Sequence, residues 1–255
     1  MPPSPKVPQA NPKPLLLGHR GARCYAPENT FAAFDLALAH GCDGFEFDVR
    51  LTADSACVVC HDPKLAGTLI ATSSEAALRD SWAAAAEKIF RAARALLDPE
   101  SCVLPTLSTV LFRYAPTAFL DIELKVPGLE SLTVSALQQH APQHGYVVSS
   151  FLPEVITRLR HLDPQLPLGL ICDRRSQLTT WPRLPISALF LHTRLVSRTL
   201  LDELRAAGRQ VFVWTVNRAA EMRAYAEMQV DGIISDDTQL LASTLGGTAA
   251  GATSS

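Results

Sequence analysis

GFEFDVRLTADSACVVCHD, residues 44–62, opens with a period of two. Phe45, Phe47 and Val49 fall on one side of a strand, and Glu46 and Asp48 fall on the other. At a rise of about 3.3 Å per residue the two carboxylates start only roughly 7 Å apart, close enough to share one hard cation. A turn at Ala53, Asp54 and Ser55 sends the chain back along residues 57–60, which carries His61 toward the acids. An edge strand with a wet polar face, or a structural ion pair, would use the same residue types. Against the edge strand stands the apolar side: Phe45, Phe47 and Val49 need a covering layer, and a strand covered there usually has its other side inside a barrel or under a second layer. Between a metal site and a structural ion pair this stretch alone does not choose, and the rest of the chain decides.

Working outward, residues 15–17 form a short apolar run ending in Gly18-His19-Arg20-Gly21, a buried strand followed by a loop. Pro27-Glu28-Asn29-Thr30 then opens a helix running to His40, with Asn29 or Thr30 as cap and Phe31, Phe34 and Leu38 at helical spacing. Further strands are predicted at 119–125, 146–150, 168–172, 188–192, 210–216 and 232–235. Helices are predicted at 129–140, 153–162, 198–207, 218–228 and 238–245, with another beginning near Thr106. Residues 174–185 hold too many breakers to assign. Eight strands, each followed by a crossover, in about the length usual for the fold, give an α/β protein of the (β/α)8 TIM-barrel class. A doubly wound open sheet competes, but it usually carries a glycine-rich dinucleotide loop after its first strand, and GHRGARC is not one.

Residues 66–104 break the repeat. Leu78, Trp82, Ala85, Ile89, Ala93 and Leu96 recur at helical spacing, so this stretch reads as a helical insertion after the second strand, on the catalytic side, with a plain long crossover as the equal alternative. The barrel domain is expected over 15–245. Before it lies MPPSPKVPQANPKP, with six prolines in fourteen residues and no apolar run after its lysines, and 246–255 is small and unpatterned. Both read as disordered tails, and the first is neither signal peptide nor membrane span. No window between them has the eighteen or so apolar residues of a transmembrane helix.

With 255 residues and 47% hydrophobic content the chain can bury a full core. A net charge of -2 and a pI near 6.4 leave no basic field, which argues against a nucleic-acid partner. Cysteines at 24, 42, 57, 60, 102 and 172 lie mostly in apolar segments, as buried free thiols of a cytoplasmic protein would. The CxxC spacing of Cys57 and Cys60 carries little, because residues three apart on a strand face opposite sides.

In a barrel, function collects at the C-terminal ends of the strands. His19 and Arg20 follow the first strand, Glu46 and Asp48 sit on the second, and His61 follows its return. In FLDIELK, Asp121, Glu123 and Lys125 share one face, so three carboxylates can surround one cation.

These residues resemble the glycerophosphodiester phosphodiesterase family. Its HRG loop matches His19-Arg20-Gly21, and PENT matches residues 27–30. The acidic strand matches 41–49, the HD pair is His61-Asp62, and E-x-K is Glu123-Leu124-Lys125. Leu104-Pro105-Thr106-Leu107, the VWTVN run at 213–217 and Asp231-Gly232-Ile233-Ile234-Ser235-Asp236 also match, so the resemblance spans 15 to about 245. It implies that Glu46, Asp48 and Glu123 hold Mg2+ or Ca2+, that His19 and His61 are acid and base, and that Arg20 and Lys125 grip phosphate. Trp214 and, more weakly, Phe151 would wall a glycerol backbone or alcohol group. Asp62 and Glu28 would orient neighbours, Asn217 and Asp236 look like helix caps, and His192 has no assigned role.

The activity so implied is hydrolysis of a small-molecule glycerophosphodiester to sn-glycerol 3-phosphate and an alcohol, by a monomer or homodimer. One alternative is a lysophospholipase D, with Trp82, Ile89 and Phe90 lining an acyl groove. The other is a non-catalytic barrel that binds phosphorylated ligands, although all seven residues of the implied metal, acid-base and phosphate set are present.

Overall fold

The computed structural model of the chain describes residues 13–92 and 103–246. The expected tails lie outside these, apart from Lys13, Pro14 and Gly246, as do Ala93, Leu96, Cys102 and the side chains of Ile89 and Phe90.

The order is β1 (Leu15–His19), α1 (Phe31–Ala39), β2 (Gly44–Leu51), β3 (Cys57–Val59), β4 (Lys64–Leu65), β5 (Thr68–Leu69), α2 (Glu75–Ala92) and α3 (Leu107–Tyr114). It continues with β6 (Phe119–Leu124), α4 (Glu130–Gln139), β7 (Tyr146–Ser150), α5 (Pro153–Leu162), β8 (Leu168–Cys172) and β9 (Ala188–His192). Last come α6 (Arg198–Ala206), β10 (Gln210–Trp214), α7 (Ala219–Glu227), β11 (Gly232–Ser235) and α8 (Thr238–Leu245). Strands β1, β2 and β6 through β11 pair in parallel around a ring that closes where β1 pairs with both β2 and β11. This is the expected eight-stranded barrel. β3 hangs antiparallel on β2, and β4 and β5 form a separate hairpin.

The faces of β2 separate as their period demands. Phe45, Phe47 and Val49 are fully buried in the shell between strands and helices, where the Phe45 ring stacks on Phe34 of α1 at a centroid distance of 4.2 Å. Each such ring is worth about 3–5 kcal/mol against alanine. The barrel interior is a second core of Leu17, Phe119, Val147, Ile171, Ala188, Phe190, Phe212 and Ile234. Its space is filled closely: a Cβ on Gly232 would come within 2.2 Å of the Phe212 ring, so that strand must carry glycine there. The aromatic layer floors the barrel below its acidic mouth.

Helices begin where side chains satisfy their free N–H groups. Thr30 caps α1 by accepting from Ala33 N, and Thr106 and Thr109 form a reciprocal box at α3. The insertion is built from the β4–β5 hairpin, a 3-10 turn (Ile70–Thr72) and α2, whose Leu78 is fully buried against Val58, Leu65, Ile70 and Leu104.

Several expectations are corrected. The caps are not Asn217 and Asp236: Asp237 accepts from Leu240 N to cap α8, and at α7 the cap position is Arg218, which makes no side-chain capping bond. β1 runs on through His19, β6 stops before Lys125 and β10 stops at Trp214. The unassigned 174–185 stretch holds two 3-10 turns, Arg175–Thr179 and Trp181–Arg183. Cys24 is exposed and Cys57 only half-buried, whereas Cys42, Cys60 and Cys172 are buried free thiols. No helix among the described residues is long and apolar enough to cross a membrane.

Candidate active site

Six of the seven expected charged and imidazole side chains, and both aromatic ones, line one cleft at the C-terminal mouth: His19, Arg20, Glu46, His61, Glu123, Lys125, Phe151 and Trp214. The seventh, Asp48, lies 1% exposed just beneath them. The parallel register aligns Glu46 with Asp121 and Asp48 with Glu123 on neighbouring strands, so the acid face of β2 meets the acid face of β6. Carboxylate oxygens of Glu46, Asp48 and Glu123 all lie within 4.8 Å of one another. Lys125 Nζ sits 2.6 Å from Glu123 and 3.2 Å from Asp48.

The loop from β1 to α1 supplies the second layer. Arg20 takes φ +55°, which lets its backbone N–H donate to Glu46 Oε2 at 2.9 Å while its guanidinium reaches Glu28 at 2.9 Å and Asp48 at 3.4 Å. Asn29, at φ +58°, donates its amide to Asp48 Oδ2 and accepts from Asp48 N. His19 Nδ1 lies 2.6 Å from Asp236 Oδ1, and His61 Nδ1 lies 2.7 Å from Asp62 Oδ1. A carboxylate can only accept, so in both rings Nδ1 carries the proton. The far wall is apolar: Trp214 donates Nε1–H to Phe190 O and meets Phe151 edge to face.

Crowded, desolvated acids resist ionising together. Burial, reinforced by Asp48, Glu123 and Asp121, pushes Glu46 well above the usual carboxylate range, and burial with Asp48 nearby raises Glu123 to about 7. Burial works against the charge on Asp48 too, yet Lys125 and Arg20 hold it below its ordinary value. Burial also lowers His61, favouring its neutral form. Glu46 Oε1 is buried with no hydrogen-bond partner among the described residues. An orphaned carboxylate oxygen beside two more carboxylates is a set of hard oxygen donors that a divalent cation would satisfy, so the residues fit a metal.

Residues 19–240 match the Glycerophosphoryl diester phosphodiesterase family. The chain belongs to that family. Its members are phosphoric diester hydrolases, and so is this chain. A glycerophosphodiester phosphodiesterase of Caldanaerobacter subterraneus is 30% identical over 237 residues, covering 90% of this chain and 96% of that one. The Bacillus subtilis protein YhdW is 32% identical over 231 residues, covering 87% and 93%. Among solved structures, an Oleispira antarctica phosphodiesterase in complex with its product sn-glycerol-3-phosphate superposes with a TM-score of 0.76 at 25% identity, over 91% of this chain and 96% of that one.

For this member of the phosphodiesterase family the sequence motifs become positions. Within PENT, Glu28 holds Arg20, Asn29 holds Asp48 and Thr30 caps the helix, so each polar residue has a separate partner. Asp62 bonds His61 as a supporting residue would. Asp121, singled out only for its face, is buried and accepts from Ser149 Oγ. The residues misread are Asn217 and Asp236: the Asp236 carboxylate faces His19 rather than a helix, and Asn217 donates to that carboxylate. The place of Asp236 at the end of the last barrel strand was the available signal.

Proposed function

We propose that this phosphodiesterase splits glycerophosphodiesters, such as glycerophosphocholine or glycerophosphoethanolamine, into sn-glycerol 3-phosphate and the alcohol, with a divalent metal. The observation that carries this reading is the convergence of two carboxylate-anchored imidazoles, three clustered carboxylates and two cationic side chains at one cleft, with Asp48 of the carboxylates just beneath its surface. Glu46, Asp48 and Glu123 would hold Mg2+ or Ca2+, which supplies positive charge against the phosphodiester anion. Arg20 and Lys125 bind its free oxygens, absorbing charge that builds toward the transition state. His19 and His61 present Nε2 toward the bound ester, one taking a proton from the nucleophile and the other giving one to the leaving alkoxide. The Trp214 and Phe151 wall seats the carbon backbone and excludes water. The Oleispira relative supports the choice of product through the sn-glycerol-3-phosphate it binds. Free thiols support a cytoplasmic setting.

The test is a coupled assay for glycerol 3-phosphate released from glycerophosphocholine, with Mg2+, Ca2+ or EDTA. EDTA should abolish turnover and His19→Ala should lower kcat by about 10³-fold. Activity indifferent to both overturns the mechanism.

A lysophospholipid substrate has one observation in its favour. A second cavity adjoins the first at His61 and is walled by Leu65, Leu104 and Trp82 of the insertion, an apolar lining suited to an acyl chain. A higher kcat/KM for lysophosphatidylcholine than for glycerophosphocholine would select that reading.

A further inference from the structure

We propose that Asp236, braced by Asn217, is a positioning residue that fixes His19 as its Nδ1–H tautomer, with Nε2 turned into the cleft. The inference rests on the phosphodiesterase reading above, in which His19 moves a proton. Asp236 Oδ1 lies 2.6 Å from His19 Nδ1, and Oδ2 accepts from Asn217 Nδ2 at 2.7 Å. Asn217 is itself fixed, because its Oδ1 accepts from Asp236 N at 2.9 Å and from Ser235 Oγ at 3.1 Å. Arg23 Nη1, 3.6 Å from Oδ1, adds a positive charge. Burial opposes ionisation, but the His19 and Asn217 bonds and Arg23 hold the carboxyl below its ordinary value. Every lone-pair direction that matters is therefore assigned, and the ring can approach this carboxylate only with a protonated Nδ1.

Two comparisons separate positioning from plain structural bonding. β1 and β11 are already paired over four register positions, from Leu15↔Gly232 to Gly18↔Ser235, so one more tie adds little to holding them together. His61 has an analogous partner in Asp62, but the Asp62 side chain is 73% exposed against 22% for Asp236. The device is built at His19 and only sketched at His61.

The geometry also sets the outcome of an isosteric change. In Asp236→Asn the new amide oxygen must face Asn217 Nδ2–H, since two NH2 groups cannot bond each other. The new NH2 then faces His19 Nδ1, which has to become the acceptor, and the proton moves to Nε2. The variant keeps volume and fold while installing the wrong tautomer.

The test is 15N NMR of the histidine rings in the metal-free protein, at a pH where His19 is neutral, alongside kinetics on glycerophosphocholine with metal. Wild type should show His19 with a protonated Nδ1 and a bare Nε2, and Asp236→Asn should reverse this. Its kcat should fall about 10²- to 10³-fold with KM changed less than about threefold. Asn217→Ala, which leaves the carboxylate but frees it to rotate, should lose about tenfold in kcat. An Asp236→Asn protein with the wild-type tautomer, or with wild-type kcat, overturns the proposal while leaving the phosphodiesterase reading intact. A wild type without turnover sinks that reading instead, and the ring tautomers alone then decide whether Asp236 positions His19.

Discussion

Glu46 meets two opposed demands. Its carboxyl is buried, faces Asp48, Glu123 and Asp121, and leaves Oε1 without a hydrogen-bond partner among the described residues. Such a group is costly to keep charged, and a cation reverses that cost. Glu46→Gln removes a charge while preserving shape, so it should weaken Mg2+ or Ca2+ binding by about 100-fold while leaving the metal-free protein at least as stable as wild type. Titration calorimetry and urea unfolding measure the two effects, and unchanged metal affinity would make Glu46 a structural acid. The residues that a strand's period could sort were legible in sequence: Glu46, Asp48, Asp121, Glu123 and Lys125 all point where their alternation put them. Asp236 was not, because in Ser235-Asp236-Asp237 a helix cap and an imidazole partner are the same residue type side by side. Only closure of the barrel, which brings the end of β11 beside β1, tells them apart.

Among the elements, the β1–α1 loop holds two residues in a costly backbone region. Arg20 and Asn29 both sit in the left-handed region, each at a cost of about 1–2 kcal/mol, and both are held there by bonds to buried acids. Gly21 between them takes φ +80°, and a Cβ there would fall 2.6 Å from the Ala33 backbone of α1. Gly21→Ala should therefore destabilise the fold by about 2–3 kcal/mol in denaturant unfolding, and also lower activity by displacing Arg20. A loss under about 0.5 kcal/mol would mean the loop relaxes freely. Regular elements were readable because buried parallel strands are short apolar runs and helix starts announce themselves, as Pro153 does at the first turn of α5. The 3-10 turns at 175–183 have neither a period near 3.6 nor a period of two, so pattern reading passes over them. In the insertion the 3.6 period was visible, but the β4–β5 hairpin, only two residues per strand, was too short to show one.

Across the whole molecule, the closed barrel gives its mouth two unlike halves. The ends of β1, β2, β3 and β6 bring the charged and imidazole groups that line it, while β7 through β11 bring an apolar wall of Phe151, Ile171, Phe190, Trp214 and Ile234, with Asp236, just after β11, against His19. The acids lie buried facing that wall, and their burial couples metal binding to protons. Folded Glu123 keeps its proton up to about 7, against an ordinary value of 4.5, and Glu46 is raised as well. The unfolded chain releases both protons near pH 4.5. Between about pH 4.5 and 7 the metal-free folded state thus binds more protons than the unfolded state, and these two groups make stability fall as pH rises. His61 acts with the opposite sign, because burial lowers its value and its stability contribution grows as pH rises toward 6.5. Asp48 does most to favour a charged His61, so a cation held by Asp48 lowers His61 further, and His61 adds to the protons expelled on binding rather than masking them. A bound cation requires the carboxylates ionised, so binding near pH 6 must expel protons, about one for Glu123 alone. The rise in Tm produced by a fixed excess of Ca2+ or Mg2+ should therefore grow from pH 5 to pH 7.5. Calorimetry at pH 6 in buffers of different ionisation enthalpy should report that proton release, shrinking toward pH 8.5. A metal-induced Tm shift that stays flat over this range, with no proton released at pH 6, would show that Glu123 already binds as a free carboxylate and that its burial does not govern its charge.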